Sequence, residues 1–184
     1  MELSTVINER RATRSLAPAI IDEAMVRRLA ERASLAPSCF NKQPWRYVFV
    51  YGDAALTGLK TALNSPGNDW AQKASLITAV ACRKEDDCVV KEREYYLFDT
   101  GMATALLLLS GTEMGLVMHP IAGFDENKAK DALGIPADHR LITLVIAGKK
   151  AVAADPILSE SQRKAEAVRP ERFSFNEFAR IDRW

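Results

Sequence analysis

Apolar residues recur along the chain with two different periods, and the change from one to the other divides it into helices and strands. From Ile21 to Ser34, the positions Ile21, Ala24, Met25, Leu29 and Ala33 fall at helical spacing. Asp22 and Glu23 suit the positive first turn of that helix, and Pro37 sets its far limit. A shorter helix is predicted from Leu3 to about Asn8, running into the basic cluster Arg10, Arg11 and Arg14. Arg46-Tyr-Val-Phe-Val-Tyr51 is aromatic and β-branched and reads as a strand. Gly52-Asp53 turns the chain into a helix over Ala54 to Leu63, and Asn64-Ser-Pro-Gly-Asn68 is a loop by composition. Ser75 to Cys82 is apolar almost throughout, as in a strand buried on both faces.

Glu92 to Gly115 predicts the longest helix, because Tyr95, Phe98, Met102, Ala105, Leu106 and Leu109 fall on a wide apolar stripe. From Thr100 to Leu109 it is apolar nearly all round, which places it at the centre of the fold or in a subunit interface. Met118 to Asp125 is a strand-to-helix junction with Asp125 as N-cap and Glu126 behind it, and Leu133-Gly134 ends that helix. Arg140 to Gly148 is the clearest strand. The pattern then changes. Lys149 to Trp184 is polar and punctuated by Pro156 and Pro170, with Phe173, Phe175, Phe178 and Trp184 spread along it. Such an arm packs either on a second subunit or back on its own domain, and its pattern leaves both open.

Composition narrows the class. The 184 residues are 48% hydrophobic and 27% charged, as expected of one ordered domain rather than a disordered chain. A net charge of +1, from 25 basic and 24 acidic residues, speaks against a dedicated nucleic-acid binder but leaves room for a small anion held by a local cluster. Cys39, Cys82 and Cys88 suggest neither a disulfide framework nor a zinc ribbon, so a reducing cytoplasm is expected. No apolar leader is visible at the start, and the apolar stretch around Met102 to Leu109 falls short of the roughly 20 residues a bilayer requires. No membrane partner is therefore expected.

Dinucleotide, P-loop, zinc-protease and nucleophile-elbow motifs are all missing. The two histidines, His119 and His139, show no metal-ligand spacing. His119, before Pro120 at a strand end, is read as structural or substrate-lining, and His139 as a surface residue. Cys39 has no base near it in sequence and is read as a small buried filler.

Three segments carry candidate chemistry. In Glu9-Arg-Arg-Ala-Thr-Arg-Ser15, a helix end can aim two arginines at one point, and guanidinium forks match phosphate oxygens; an arginine-rich turn is otherwise simply solvated. Ala36-Pro-Ser-Cys-Phe-Asn-Lys-Gln-Pro-Trp45 crowds Pro37, Ser38, Asn41 and Gln43 into a rigid polar surface suited to a ring with many hydrogen-bonding edges, or into a turn stabilised by Asn and Ser. In Gly115-Leu-Val-Met-His-Pro-Ile-Ala-Gly-Phe-Asp125, Gly123 stands just before a helix start, where backbone N–H groups carry partial positive charge.

Taken in order, Arg10-Arg-Ala-Thr-Arg14, Ala36-Pro-Ser with Asn41-x-Gln-Pro-Trp45, Asp99-x-Gly-x-Ala103, and Met114-Gly-Leu with Pro-Ile-Ala-Gly-Phe-Asp125 resemble the nitroreductase family, from about residue 9 onward. The stretch from Arg172 to Arg183-Trp184 is similar to that family's ending. The resemblance implies an α+β fold, a three-layer α-β-α sandwich with a mainly antiparallel central sheet. It also implies an intertwined homodimer with FMN at the interface, residues 1–148 forming the core and residues 149–184 an arm on the partner subunit. Family members pass a hydride from NADH or NADPH to nitroaromatics, quinones or related small acceptors in a ping-pong relay in which the flavin carries the chemistry.

Carried over position by position, Arg10 and Arg172 match phosphate-binding residues, with Arg11 beside them, and Arg14 matches a cation near the pyrimidine end of the ring. Pro37, Ser38, Cys39, Asn41 and Gln43 fall in the segment contributed by the partner subunit. Asn68 matches an Asn that hydrogen-bonds the ring, and Ala122 and Gly123 the backbone lying against the flavin. Ala12 departs from the family's usual Ser, and Gly148-Lys-Lys150 from its more common Gly-Tyr-Pro. The short chain predicts an open pocket. A flavin-binding module without turnover, and a dehalogenase-like or flavin-destructase-like enzyme of the same fold, are the competing readings.

Overall fold

A computed structural model describes residues 2–63 and 65–184. In chain order the helices are α1 (Leu3–Glu9), α2 (Glu23–Ser34), α3 (Asp53–Lys60), α4 (Tyr96–Glu113), α5 (Glu126–Leu133), α6 (Glu160–Ala167) and α7 (Phe175–Phe178). The strands are β1 (Leu16–Ala17), β2 (Trp45–Val50), β3 (Leu76–Cys82), β4 (Val89–Val90), β5 (Arg93–Glu94), β6 (Val117–Ile121) and β7 (Arg140–Lys150).

The unbroken apolar run of β3 and the long β7 lie side by side at the centre of the main sheet, every residue of β3 being buried. β2 flanks β3, while β6 and β1 share the other edge of β7, β6 pairing Val117 to Ile121 against Gly148 to Leu144 and β1 pairing Leu16 with Lys150. All these pairings are antiparallel. Alternation hidden inside the apolar run feeds two cores. Leu76 and Val80 face Leu29 of α2 and Leu107 of α4, whereas Ile77 and Ala79 face Leu56 and Leu59 of α3, Trp70, and Ala129 of α5. The result is the expected three-layer α-β-α architecture.

Local signals account for most boundaries. Asp22 caps α2 by accepting from the Met25 N–H at 2.7 Å, so the helix begins at Glu23 and not at Ile21. Asp125 caps α5 in the same way, and Gly134 closes it in the left-handed region at φ 64°. The helix expected from Glu92 begins only at Tyr96. Lys91 and Glu92 take positive φ, the chain turns back, and Arg93–Glu94 pairs with Val89–Val90 in a small hairpin. α4 packs close to β6 at Gly111, where a Cβ would lie 2.4 Å from the Met118 sulfur. Its other side remains apolar and exposed at Leu97 and Phe98.

The segment beyond β7 divides in two. Asp155 is paired with Lys73, Gln162 donates to the Gly67 carbonyl at 2.7 Å, and Leu158 is 3% exposed, so this first part is tied to its own core. From Val168 onward the chain leaves Phe173, Phe175, Phe178, Ile181 and Trp184 more than half exposed. Among the described residues no helix is long and apolar enough to cross a membrane.

Candidate functional site

After α1 the chain does not continue as a helix. Arg10 closes the last turn by donating its N–H to the Val6 carbonyl, and residues 10–15 run towards β1. Their path is fixed from the far end of the sequence. Glu166 of α6 accepts the N–H groups of Arg14 at 2.6 Å and Ser15 at 2.8 Å, and the Ser15 hydroxyl as well. The Arg169 guanidinium donates to the carbonyls of Asn8 and Arg10, and Arg11 donates to the Ala165 carbonyl at 3.2 Å.

Between residues 10–14 and 165–172 lies a cavity of about 160 Å³ whose wall carries five arginines, Arg10, Arg11, Arg14, Arg169 and Arg172, and one acid, Glu166. Among the described residues none of the five forms a salt bridge, those of the other arginines running to Glu23, Glu113, Asp86, Asp138 and Glu126. Glu166 is occupied by backbone N–H groups and a hydroxyl. Desolvation pushes its pKa up, but these hydrogen bonds and the Arg14 charge together outweigh that and leave it lowered. Burial first, then the charges of Arg169, Arg172 and Arg11, lowers the pKa of Arg10. Like charges held together with so little opposing charge would suit an anion of more than one negative charge.

His119 sits behind this wall. It is 7% exposed, stacks on Trp70 at 4.6 Å between ring centroids, and places Nδ1 3.0 Å from the Thr13 carbonyl. Burial pulls its pKa down to about 4, helped by Arg14 and Arg10, so at neutral pH the ring is uncharged. Because a carbonyl can only accept, the proton is on Nδ1. His119 thus serves as a neutral strut under the arginine segment.

Beside the cleft, Asn68 and Gly123 meet: Asn68 Nδ2 donates to the Gly123 carbonyl at 2.8 Å. A Cβ at position 123 would lie 2.6 Å from that nitrogen and 3.2 Å from Ser65 Cβ, so only glycine allows this approach. Ala122 is exposed next to it. α6 connects the two groups, since Gln162 holds the Gly67 carbonyl while Glu166 holds Arg14 and Ser15. Of the loop expected at residues 64–68, Asn64 lies outside the described residues.

The 37–43 loop lies elsewhere, and none of its residues lines the arginine cavity. Ser38 Oγ accepts the Gln43 N–H at 3.0 Å, and Gln43 Nε2 donates to Asn41 Oδ1 at 3.2 Å. Phe40, Asn41 and Gln43 all take positive φ, at 48°, 57° and 50°, and Phe40 is 85% exposed. What holds this strained turn is Asp99, 1% exposed, whose Oδ2 accepts the Cys39 N–H at 2.6 Å. Pro37 is exposed, while Trp45 is buried with Ala36 and Ala103. Cys39 is not the buried filler expected. It is half-exposed, and Cys88 donates its thiol hydrogen to the Cys39 carbonyl at 3.4 Å, because the turn directs residue 39 towards the β4–β5 hairpin.

The candidate residues therefore fall into two sets: Arg10, Arg11, Arg14, Arg172, Asn68, Ala122 and Gly123 on one side, and Pro37, Ser38, Cys39, Asn41 and Gln43 on the other. Sequence reasoning passed over Arg169 and Glu166. Arg169 could have been found from its spacing to Arg172, whereas an acid that binds backbone N–H groups leaves no pattern. Asp99 stood within a recognised motif with no role attached.

The chain belongs to the nitroreductase family, whose model matches residues 7–78 and 60–149. It is 30% identical over 112 residues to an uncharacterized 15.4 kDa protein of Mycolicibacterium smegmatis, covering 59% of this chain and 74% of that one. A nitroreductase family protein from Clostridium novyi is similar at 27% identity with a TM-score of 0.75, over 83% of this chain and 87% of that one. A protein from Exiguobacterium sibiricum, solved in complex with FMN, shares the fold at 19% identity with a TM-score of 0.81, over 99% and 98% of the two chains.

Proposed function

We propose that the chain is an FMN-dependent oxidoreductase that takes a hydride from NADH or NADPH and delivers it to a nitroaromatic, a quinone or a related small acceptor. The observation that carries this reading is the cleft of five arginines facing one fully engaged carboxylate. It fits the doubly charged phosphate of FMN, and the Asn68–Gly123 contact beside it supports a place for the ring.

Bound flavin supplies the hydride transfer at its N5. In this reading Arg10 and Arg172 neutralise the phosphate, with Arg11 and Arg169 closing the cleft behind it. Arg14 balances negative charge gained at the pyrimidine end of the ring. The backbone at Ala122 and Gly123 would face the ring, held in place by the Asn68 amide that only glycine at position 123 admits. Residues 37–43 complete the site of a second copy in a homodimer, because they lie outside the cleft of their own chain. His119, neutral and occupied with Thr13, takes no part in proton transfer.

Purification of the full chain followed by anaerobic addition of NADH and NADPH tests the proposal. A yellow protein bleached by either nicotinamide, and recoloured by an acceptor, is the expected result. A yellow protein that neither bleaches points to a flavin-binding module. A colourless one that FMN cannot reconstitute overturns the reading.

A further inference from the structure

The β4–β5 hairpin and the 37–43 loop bring together three ligand-type side chains; the flavin reading uses the segment around Cys39 but gives the cluster itself no role. Cys39, Asp87 and Cys88 each offer one atom, two thiol sulfurs and a carboxylate oxygen, and these atoms lie within 4.8 Å of one another. Both cysteines are free, and all three residues are half-buried. A tetrahedral Zn²⁺ with Zn–S bonds of about 2.3 Å sets its sulfurs about 3.8 Å apart, so closure needs a movement of at most about 1 Å. The hairpin has only two residues in each strand, so it can yield by that amount while the 37–43 loop stays fixed.

The surroundings hold these groups as a metal site requires. Asp87 Oδ1 accepts the Cys88 N–H at 2.7 Å, which orients that carboxylate. Its other oxygen, Oδ2, is buried and among the described residues meets no N–H or O–H donor, while the neighbouring Asp99 carboxylate adds a second negative charge. A buried acceptor left unmatched is destabilising, and a cation removes that cost. Asp99, a neighbour of Asp87, fixes the Cys39 backbone by accepting its N–H. Lys42 lies close enough to Cys88 to act on its charge and offsets part of the excess negative charge of two thiolates and a carboxylate.

We infer that Cys39, Cys88 and Asp87 bind a single thiophilic divalent cation, Zn²⁺ among the common ones, and that this cation ties the 37–43 loop to the β4–β5 hairpin. Two sulfurs and one oxygen suit Zn²⁺ and disfavour Mg²⁺ and Ca²⁺, which take oxygen ligands. Binding releases the two thiol protons to solvent and moves no electrons. With three protein ligands, the fourth position remains open to water or a small ligand.

The test uses the full reduced chain. Zn²⁺ added and passed through gel filtration is expected to remain at one ion per chain, and Co²⁺ in its place to give the near-ultraviolet thiolate-to-metal absorption. Cys39→Ser and Cys88→Ser are expected to lose that band, and Asp87→Asn to weaken binding by more than about tenfold. Cys82→Ala, which changes a fully buried thiol outside the set, is expected to keep it. Should the serine variants not fold, alkylation of the unaltered chain decides: Zn²⁺ is expected to protect two thiols. Loss of the ion on gel filtration, a cobalt complex without the thiolate band, a band that survives in both serine variants, or alkylation unaffected by Zn²⁺ would overturn the inference.

Discussion

In the cleft between residues 10–14 and 165–172, five guanidiniums face one carboxylate that is engaged by backbone N–H groups, and the charge is left over. In the 37–43 loop the polar groups satisfy one another: Ser38 with Gln43, Gln43 with Asn41, and Cys39 with the buried Asp99. The first region stores electrostatic repulsion that a bound anion would relieve. The second stores backbone strain, with three non-glycine residues at positive φ, and presents a stiff surface. Two regions can be equally rich in polar residues; unmatched charge distinguishes them.

The largest expected effect lies in the cleft. Arg10→Ala or Arg172→Ala removes a charge-assisted contact worth about 1.5–3 kcal/mol, so FMN affinity should fall by roughly ten- to a hundredfold in a fluorescence-quenching titration. Without FMN, Arg10→Ala should unfold at no lower urea concentration than the parent, since it also removes like-charge repulsion. Unchanged affinity in both variants would dissolve the contrast with the loop.

His119 gives the cleft a dependence on pH. Its pKa of about 4 in the folded chain lies below the ordinary 6.5, so between these values the unfolded chain binds more protons. Stability should fall as pH drops from about 6.5 to about 4, by up to about 3 kcal/mol. Urea denaturation at pH 7 and 4.5 measures this, and His119→Gln should flatten the change.

Smaller effects sharpen the other side of the comparison. Gly123→Ala drives a methyl into the Asn68 amide and should cost about 1–3 kcal/mol, read as a lower Tm. Asp99→Asn weakens the anchor of the strained loop, at about 1–2 kcal/mol. Faster amide hydrogen exchange confined to residues 39–43 is expected, with exchange at residues 10–15 unchanged. Acceleration in both places would mean that the two regions are not independent.

Much of the fold is legible in the order of residues alone. The apolar runs Ser75 to Cys82 and Arg140 to Gly148 correspond to the two central strands because burial on both faces leaves no room for a charged residue between their ends. Asp125 and Gly134 mark α5 because caps act through their own side chain or φ. Misreadings fall where a local pattern competes with a turn. Tyr95 and Phe98 extend the helical stripe backwards, but Lys91 and Glu92 enter the left-handed region and the hairpin ends it. Leu16–Ala17 is too short to show a period, and it pairs only because the end of β7 is there to receive it.

The residues of the candidate site were legible as types and not as a place. Local chemistry marks Arg10, Arg11 and Arg14 as a basic cluster able to meet an anion and Gly123 as a glycine before a helix start, whereas Arg172 enters only through the resemblance. Their convergence is another matter. Ser15 and Glu166, whose contact closes the cleft, are 151 residues apart, and Cys39 and Cys88 are 49 apart. The order of apolar and polar residues determined the strands, most of the helices and the kinds of group available. Only the tertiary structure decided which charges were left without a partner, because a partner is a neighbour in space and the chain's periodicities describe neighbours in sequence.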